Sequence, residues 1–382
     1  MPAVPPGVDL RLGVFVNQQG LKLQTYRFAP AAGKWKGIVF MLHGIASHTV
    51  NEWFLREHEA QAGDRWRGSV LEGLVSAGYA AFALDRQAHG RSEGARGLRC
   101  YFRRFADLPA EAEAFMEAAL RAEPELAKLP LFLFAQSMGG AVALDMARRA
   151  ARAANPGRYA GLVLYSPMLS LDRMRQEPFI ACCGRGSKEP LCICARSKHL
   201  EPLVSCLDCM CPTMPLVKGS PKQPANLRHL EAGRGADPLM YNGKARVRVA
   251  KACVDITNDF LRGGLEEVEV PFVVFQCQRD GYVDPQGAER LYERAACAPE
   301  DKRIVRIGPG QDIAADMFHV LSVEPGHAEV FAAALGFIEE RARQLQAPGR
   351  KEEAECEILS RPAQQEMGAE ALLPGHVQPE LA

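Results

Sequence analysis

Six short, mostly apolar runs punctuate the chain, at 37–42, 79–84, 131–134, 161–165, 272–276 and 303–307. Consecutive Val, Leu and Phe without strict alternation suit strands buried on both faces, as in a parallel sheet covered by helices. Between these runs, residues 67–77 and 109–121 carry Leu, Val, Phe and Met at helical spacing, and 139–153 is rich in Ala, Leu and Arg. The alternation predicts an α/β fold with a mostly parallel central sheet flanked by helices.

The rhythm breaks after Tyr165. Residues 170–249 are rich in Pro, Gly, Cys and Arg before strand patterning resumes at Val270. This stretch reads as an insertion over the carboxyl edge of the sheet, where such folds bind ligands. Residues 1–169 and 250–345 are then the two parts of one core, closed by a helix at 328–344 with Val330, Ala334, Leu335 and Ile338 on its apolar face. Residues 346–382 are rich in Glu, Gln, Pro and Ala with little periodicity and are expected to be a disordered tail. No internal repeat is visible.

Composition narrows the function classes. The 382 residues are 47% hydrophobic, enough for a sizeable core, and 46 basic residues balance 46 acidic ones, so no global field favours nucleic acid. A small uncharged or amphiphilic substrate fits better. The N-terminus lacks a basic region followed by an apolar run, and no stretch reaches the roughly 18–20 apolar residues of a membrane helix. A cytoplasmic protein is the expectation, and with it mostly reduced thiols among the twelve cysteines.

The chemistry concentrates at Leu131-Phe-Leu-Phe-Ala-Gln-Ser137-Met-Gly-Gly140, an apolar strand running through a tight turn into a helix with a serine at the apex. Small residues two positions either side of Ser137 let such a turn close, and here the first of them is Ala135 where the G-x-S-x-G pattern has Gly. A serine between strand and helix can simply cap the helix. The order of strand, small residue, serine, small residue and helix favours the nucleophile.

A serine hydroxyl needs a base within reach and an acid to orient that base, and α/β-hydrolases place them in the order Ser, acid, His. After the run at 272–276 the chain offers Asp280 in the turn and Asp284 beside Pro285. Asp284 looks like a cap for the helix at 286–296, so Asp280 is preferred and Asp284 is the fallback. His319 lies in the loop after the last strand, whereas His327 starts the final helix and reads as a surface residue. Asp312 and Asp316 give the His319 loop acidic surroundings. Backbone N–H groups must hold the oxyanion, and Met138 after the nucleophile and Ile45 after Leu42-His43-Gly44 are the candidates.

With these segments in view, the chain resembles the monoacylglycerol lipase and lysophospholipase group of α/β-hydrolases, also grouped with the serine aminopeptidase-like (S33) hydrolases. Four blocks carry the likeness: Leu42-His-Gly44; Asp85-Arg-Gln-Ala-His-Gly-Arg-Ser-Glu-Gly94; Ala135-Gln-Ser-Met-Gly-Gly140; and Asp280-Gly-Tyr-Val-Asp-Pro285 with Phe318-His319. Asp237-Pro-Leu also resembles the segment returning from the group's cap. The resemblance spans roughly residues 10–345. It implies a membrane-facing cap over an acyl channel, hydrolysis of a glycerol monoester through an acyl-enzyme on Ser137, and no cofactor. Ala88, Ala135 and Gln136 depart from it, the last two where the group usually has Gly and His; a longer loop before His319 and the cap depart as well.

Seven cysteines fall in the cap: Cys182, Cys183, Cys192, Cys194, Cys206, Cys209 and Cys211, with His199 among them. Cys206-Leu-Asp-Cys209 with Cys192-Ile-Cys194 could form a structural zinc site, but the spacing matches no standard zinc ribbon or finger and no metal is assigned; zinc, free thiols, regulatory disulfides and lipidated cysteines holding the cap on a membrane all stay open. A lipid monoester hydrolase is the leading expectation, with a lysophospholipase or broad carboxylesterase as its nearest rival and a non-catalytic ligand-binding homologue as a different class. A peptidase using Glu189, Glu201 or Asp208 to hold an amino terminus comes third, since scattered acids more often make a solvated face.

Overall fold

The computed structural model describes residues 2–55, 64–173, 178–183, 191–196, 201–215, 224–227 and 235–346. In chain order the strands are β1 (Val8–Val16), β2 (Lys22–Pro30), β3 (Gly37–Leu42), β4 (Tyr79–Leu84), β5 (Leu131–Gln136), β6 (Gly161–Tyr165), β7 (Pro178–Cys183), β8 (Leu191–Arg196), β9 (Phe272–Cys277) and β10 (Lys302–Ile307). The α-helices are α1 (Thr49–Trp53), α2 (Val70–Ser76), α3 (Asp107–Ala122), α4 (Met138–Arg152), α5 (Glu201–Met210), α6 (Val247–Leu261), α7 (Gln286–Arg294) and α8 (His327–Gln346).

Eight strands form one sheet in the order β1-β2-β4-β3-β5-β6-β9-β10. From β4 to β10 every pairing is parallel. β3, β4, β5, β6 and β9 are buried along their whole length, as their unbroken apolar runs require. Phe132, Leu133, Leu162 and Val274 are fully buried, each worth about 1.5–3 kcal/mol of transfer free energy. The sheet is therefore the α/β-hydrolase arrangement expected, mostly parallel with helices between its strands.

Two strands of this sheet were not anticipated. β1 and β2 pair antiparallel with each other, and β2 pairs antiparallel with β4, extending the sheet at one edge. Within 170–249 the described residues are also more regular than the sequence suggested: β7 and β8 make an antiparallel pair outside the main sheet, and α5 follows.

Chain direction across the sheet reverses at β3. From it the chain passes to β4 on one side and later to β5 on the other. Such a switch point, here at the carboxyl ends of β3 and β5, is the usual ligand site of open α/β sheets. The Gly44 loop leaves β3 there, and Ser137 ends β5. Residues Met1–Ala342 form one compact unit; Arg343–Ala382 form a second, described only to Gln346, so the expected tail at 346–382 falls almost wholly outside the described residues.

Candidate active site

Ser137 sits at φ 54°, ψ −120°, a strained conformation for a non-glycine residue, and its side chain makes no capping bond to α4. The turn is held by backbone bonds from Ser137 N–H to Tyr165 O and from Met168 N–H to Ser137 O, each 2.9 Å. Close packing explains the glycines that follow: a Cβ on Gly139 would lie 2.1 Å from Leu42 O, and one on Gly140 would lie 2.5 Å from Pro167 Cβ. Ala135, by contrast, is a regular strand residue paired with Leu42 and Leu164, and its methyl is buried without disturbing the turn.

The structure brings Ser137, His319 and Asp280 together. Ser137 Oγ lies 3.0 Å from His319 Nε2, and His319 Nδ1 lies 2.8 Å from Asp280 Oδ2. Asp280 is fully buried, and its other oxygen accepts the amides of Tyr282 (2.8 Å) and Val283 (3.0 Å). A carboxylate so fixed takes the Nδ1–H of the imidazole, leaving Nε2 to accept the serine proton. Burial pulls the His319 pKa down, but the charge and hydrogen bond of Asp280, with Glu324 and Glu52 farther off, carry it above its ordinary value. Asp284 instead accepts from Gln286 N–H at the start of α7, and His327 contacts the carbonyls of Glu324 and Gly68.

Two side chains that hold the His319 backbone were not read from the sequence. Glu324, 3% exposed, lays its carboxylate under the His319 loop and accepts the amides of Phe318, His319 and Val320 at 2.5, 3.0 and 2.7 Å. Gln136 donates from Nε2 to His319 O at 2.8 Å, across a separation of 182 residues between its neighbour Ser137 and His319. Gln136 was visible only as a departure from a motif, and nothing in Phe318-His-Val-Leu-Ser-Val-Glu324 marks the glutamate. The Tyr282 ring packs on His319 with centroids 4.8 Å apart.

Met138 is the first residue of α4, so its N–H is among those a helix cannot satisfy internally. A Cβ on Gly44 would stand 3.3 Å from Ser137 Cβ, so the loop carrying Ile45 passes directly against the serine. The buried loop after β4 braces it: Asp85 accepts from Thr49 N–H, Arg91 N–H and Tyr26 O–H, each at 2.9 Å. Ala88, at the group's Gly position, takes φ 66°. His48 Nε2 lies 2.9 Å from Asp237 Oδ2, tying the same loop to the Asp237-Pro-Leu segment.

Among the described residues no group of His, Cys, Asp and Glu side chains could hold a metal ion. Cys206, Cys209 and Cys211 are exposed free thiols; the side chains of Cys182, Cys183, Cys192 and Cys194, with His199 and Glu189, lie outside the described residues. Asp208 is bonded to Arg248. A cavity of about 740 Å³ opens elsewhere, its lining including the ion pairs Arg149–Asp145, Arg248–Asp208 and Lys251–Asp255 and none of the triad.

The chain is similar in sequence to known hydrolases. Residues 64–307 match the family described as serine aminopeptidase, S33, a span that includes Ser137 and Asp280. The chain is 31% identical to the monoglyceride lipase of Homo sapiens over 73% of its own length and 77% of that protein's. It is 27% identical to the caffeoylshikimate esterase of Arabidopsis thaliana over 74% of its length and 73% of that protein's. Among solved structures, a soluble variant of the Saccharomyces cerevisiae monoglyceride lipase with a substrate analog superposes with a TM-score of 0.62 at 16% identity, covering 89% of this chain and 97% of that one, which shows a shared fold.

Proposed function

Because this chain belongs to the serine aminopeptidase S33 family of hydrolases and is a carboxylic ester hydrolase, we propose that it cleaves lipid monoesters, monoacylglycerols first, through an acyl-enzyme on Ser137. The observation that carries the assignment of residues is the relay from Ser137 Oγ through His319 to buried Asp280, at 3.0 and 2.8 Å. Ser137 Oγ attacks the ester carbonyl while His319 Nε2 takes its proton; the carbonyl oxygen, now negative, is held by the amides of Ile45 and Met138. Collapse expels the alcohol, which takes the proton back from His319. Water then attacks the acyl-enzyme by the same route and releases the acid.

The similarity to a human monoglyceride lipase supports a glycerol monoester as substrate. A broad carboxylesterase is the second reading, favoured by the similarity to a caffeoylshikimate esterase. The peptidase reading loses Asp208, which is engaged by Arg248. No helix among the described residues is long and apolar enough to cross a membrane; peripheral contact through residues 170–249 is supported by Met210, 74% exposed on α5 beside Cys206 and Cys209.

A fluorophosphonate probe labels the wild-type protein and not Ser137→Ala, and fatty acid is released faster from monoacylglycerol than from lysophosphatidylcholine or a short aryl ester. Equal rates on all three would remove the lipase reading and leave the esterase. An unlabelled wild-type protein would favour the non-catalytic class.

A further inference from the structure

Arg86 is fully buried, yet among the described residues its guanidinium makes no ion pair at hydrogen-bond distance. Its Nη2 donates to the carbonyls of His43 and Gly44, the latter at 3.2 Å, while Nε and Nη1 find no acceptor among the described residues. The charges around it are carboxylates at longer range, Glu111 and Glu52. Burying a cation this way costs several kcal/mol, and an apolar residue of similar volume would serve stability as well or better. The arrangement asks for another explanation.

That explanation lies in which carbonyl is bonded. Gly44 C=O and Ile45 N–H belong to one peptide unit, and their dipoles are parallel. A cation on the oxygen draws electron density through the unit and makes the N–H a stronger donor. His43 adds to this. Its Nε2 accepts from Arg86 N–H at 3.1 Å, so the ring carries its proton on Nδ1, which donates to the same Gly44 oxygen at 2.8 Å. Burial first, then the Arg86 charge, holds the His43 pKa well below its ordinary value, so the ring is neutral and this tautomer is maintained.

We propose that Arg86, with His43, is a positioning residue of the oxyanion hole, polarising the Gly44–Ile45 peptide from behind so that its N–H meets the negative charge that develops on the substrate oxygen. The inference rests on the assignment of Ser137 and Ile45 under the proposed function. It also gives Glu52 a context: this buried carboxylate lies 3.7 Å from the position of a Cβ on Gly44, and the Arg86 cation offsets its field at the loop.

The test compares Arg86→Gln and Arg86→Lys with wild type, using an aryl ester substrate and a long-chain alkyl trifluoromethyl ketone, which forms an anionic tetrahedral adduct with the active serine. For Arg86→Gln the turnover number falls by about tenfold to a hundredfold, less than the 10²–10³ expected for loss of a direct donor. Trifluoromethyl ketone affinity falls in parallel and KM stays within about twofold, because the neutral ground state makes little use of the charge. Arg86→Lys, which keeps the charge, recovers most of both. A loss confined to KM, or equal losses in the two variants, overturns the proposal. If Arg86→Gln does not fold, Arg86→Lys decides alone: ketone affinity within about threefold of wild type supports the role, and a loss beyond tenfold overturns it. A wild-type protein that the fluorophosphonate probe does not label sinks the function and the inference together, whereas a labelled wild type matched by Arg86→Gln sinks only the inference.

Discussion

Glu324→Gln isolates the support beneath His319, the proposed base. The substitution keeps the shape of the side chain but turns one carboxylate oxygen into an amide nitrogen. In the native protein Oε1 accepts from His319 and Val320 N–H at 3.0 and 2.7 Å, and Oε2 from Phe318 and His319 N–H at 2.5 and 3.2 Å. If the glutamine oxygen stays with His319 and Val320, its NH₂ group faces the Phe318 N–H, donor against donor. One charge-assisted bond is lost, worth about 1.5–3 kcal/mol, and buried donors are left unsatisfied at about 1–3 kcal/mol, so the loop loses about 2.5–6 kcal/mol of support. The loss falls on the segment that sets the 3.0 Å contact from His319 to Ser137, and a shift of about 1 Å there costs on the order of 10² in rate. Removing the charge also takes away one of the groups that raise the His319 pKa. The expected outcome is a lower melting temperature, a turnover number reduced at least tenfold on an aryl ester, little change in KM, and a pH–rate midpoint moved to lower pH. A variant with wild-type turnover and an unmoved pH profile would refute the reasoning, since neither the bonds nor the charge of Glu324 would then matter to the base.

Asp280→Asn offers His319 an amide in place of a carboxylate, favours the wrong tautomer, and is expected to reduce turnover by about 10³–10⁴ while leaving the fold intact by circular dichroism. In the wild type, kcat/KM is expected to rise with pH as His319 becomes neutral, with a midpoint above the ordinary imidazole value of 6.5; a midpoint below it would contradict the reasoning that Asp280, Glu324 and Glu52 together outweigh burial. The raised His319 pKa also stabilises the fold below pH 6.5, and that contribution is lost as pH rises through the folded value. Glu111 acts in the same direction: burial pushes its pKa from 4.5 to about 7 despite bonds from Gln87 and Asn17. Its stabilisation is complete below pH 4.5 and lost through about pH 7, about 3 kcal/mol in all. Urea unfolding at pH 5 and pH 8 measures this, and Glu111→Gln should shrink the difference; an unchanged difference would assign it elsewhere, with Glu113, also raised to about 7, the next group to test.

What could be read from the sequence follows the reach of each interaction. Strands β3, β4, β5, β6 and β9 were legible because two-sided burial writes itself as unbroken apolar runs. β1 was not: it is an antiparallel strand at the sheet edge with Leu12, Val14 and Val16 more than half exposed, and Asp9, Arg11 and Gly13 interrupt its apolar residues. Asp280 and Asp284 could be told apart because capping is local, and Asp284 does bond to Gln286 two residues on. Gln136 and Arg86 were silent because their partners are brought near by the fold, Gln136 and His319 being 183 positions apart, and Glu324 because its bonds to Phe318, His319 and Val320, though local, follow no motif.

The departures from the motif show the same distinction at closer range. A glycine is demanded where backbone approaches backbone, and that happens at Gly139, where a Cβ would stand 2.1 Å from Leu42 O. Ala135 lies two residues before the serine inside a regular parallel pairing, so a methyl there meets only the packed interior of the sheet. Gln136 is different in kind. Its amide reaches the carbonyl of the residue whose ring must face Ser137, while Glu324 takes the amide of that same residue. His319 is thus held at both backbone polar groups, by one side chain from the nucleophile strand and one from its own loop. A chain that anchors its base from the nucleophile's neighbour couples the two positions, so a substitution at Gln136 should disturb the Ser137–His319 distance before it disturbs the fold.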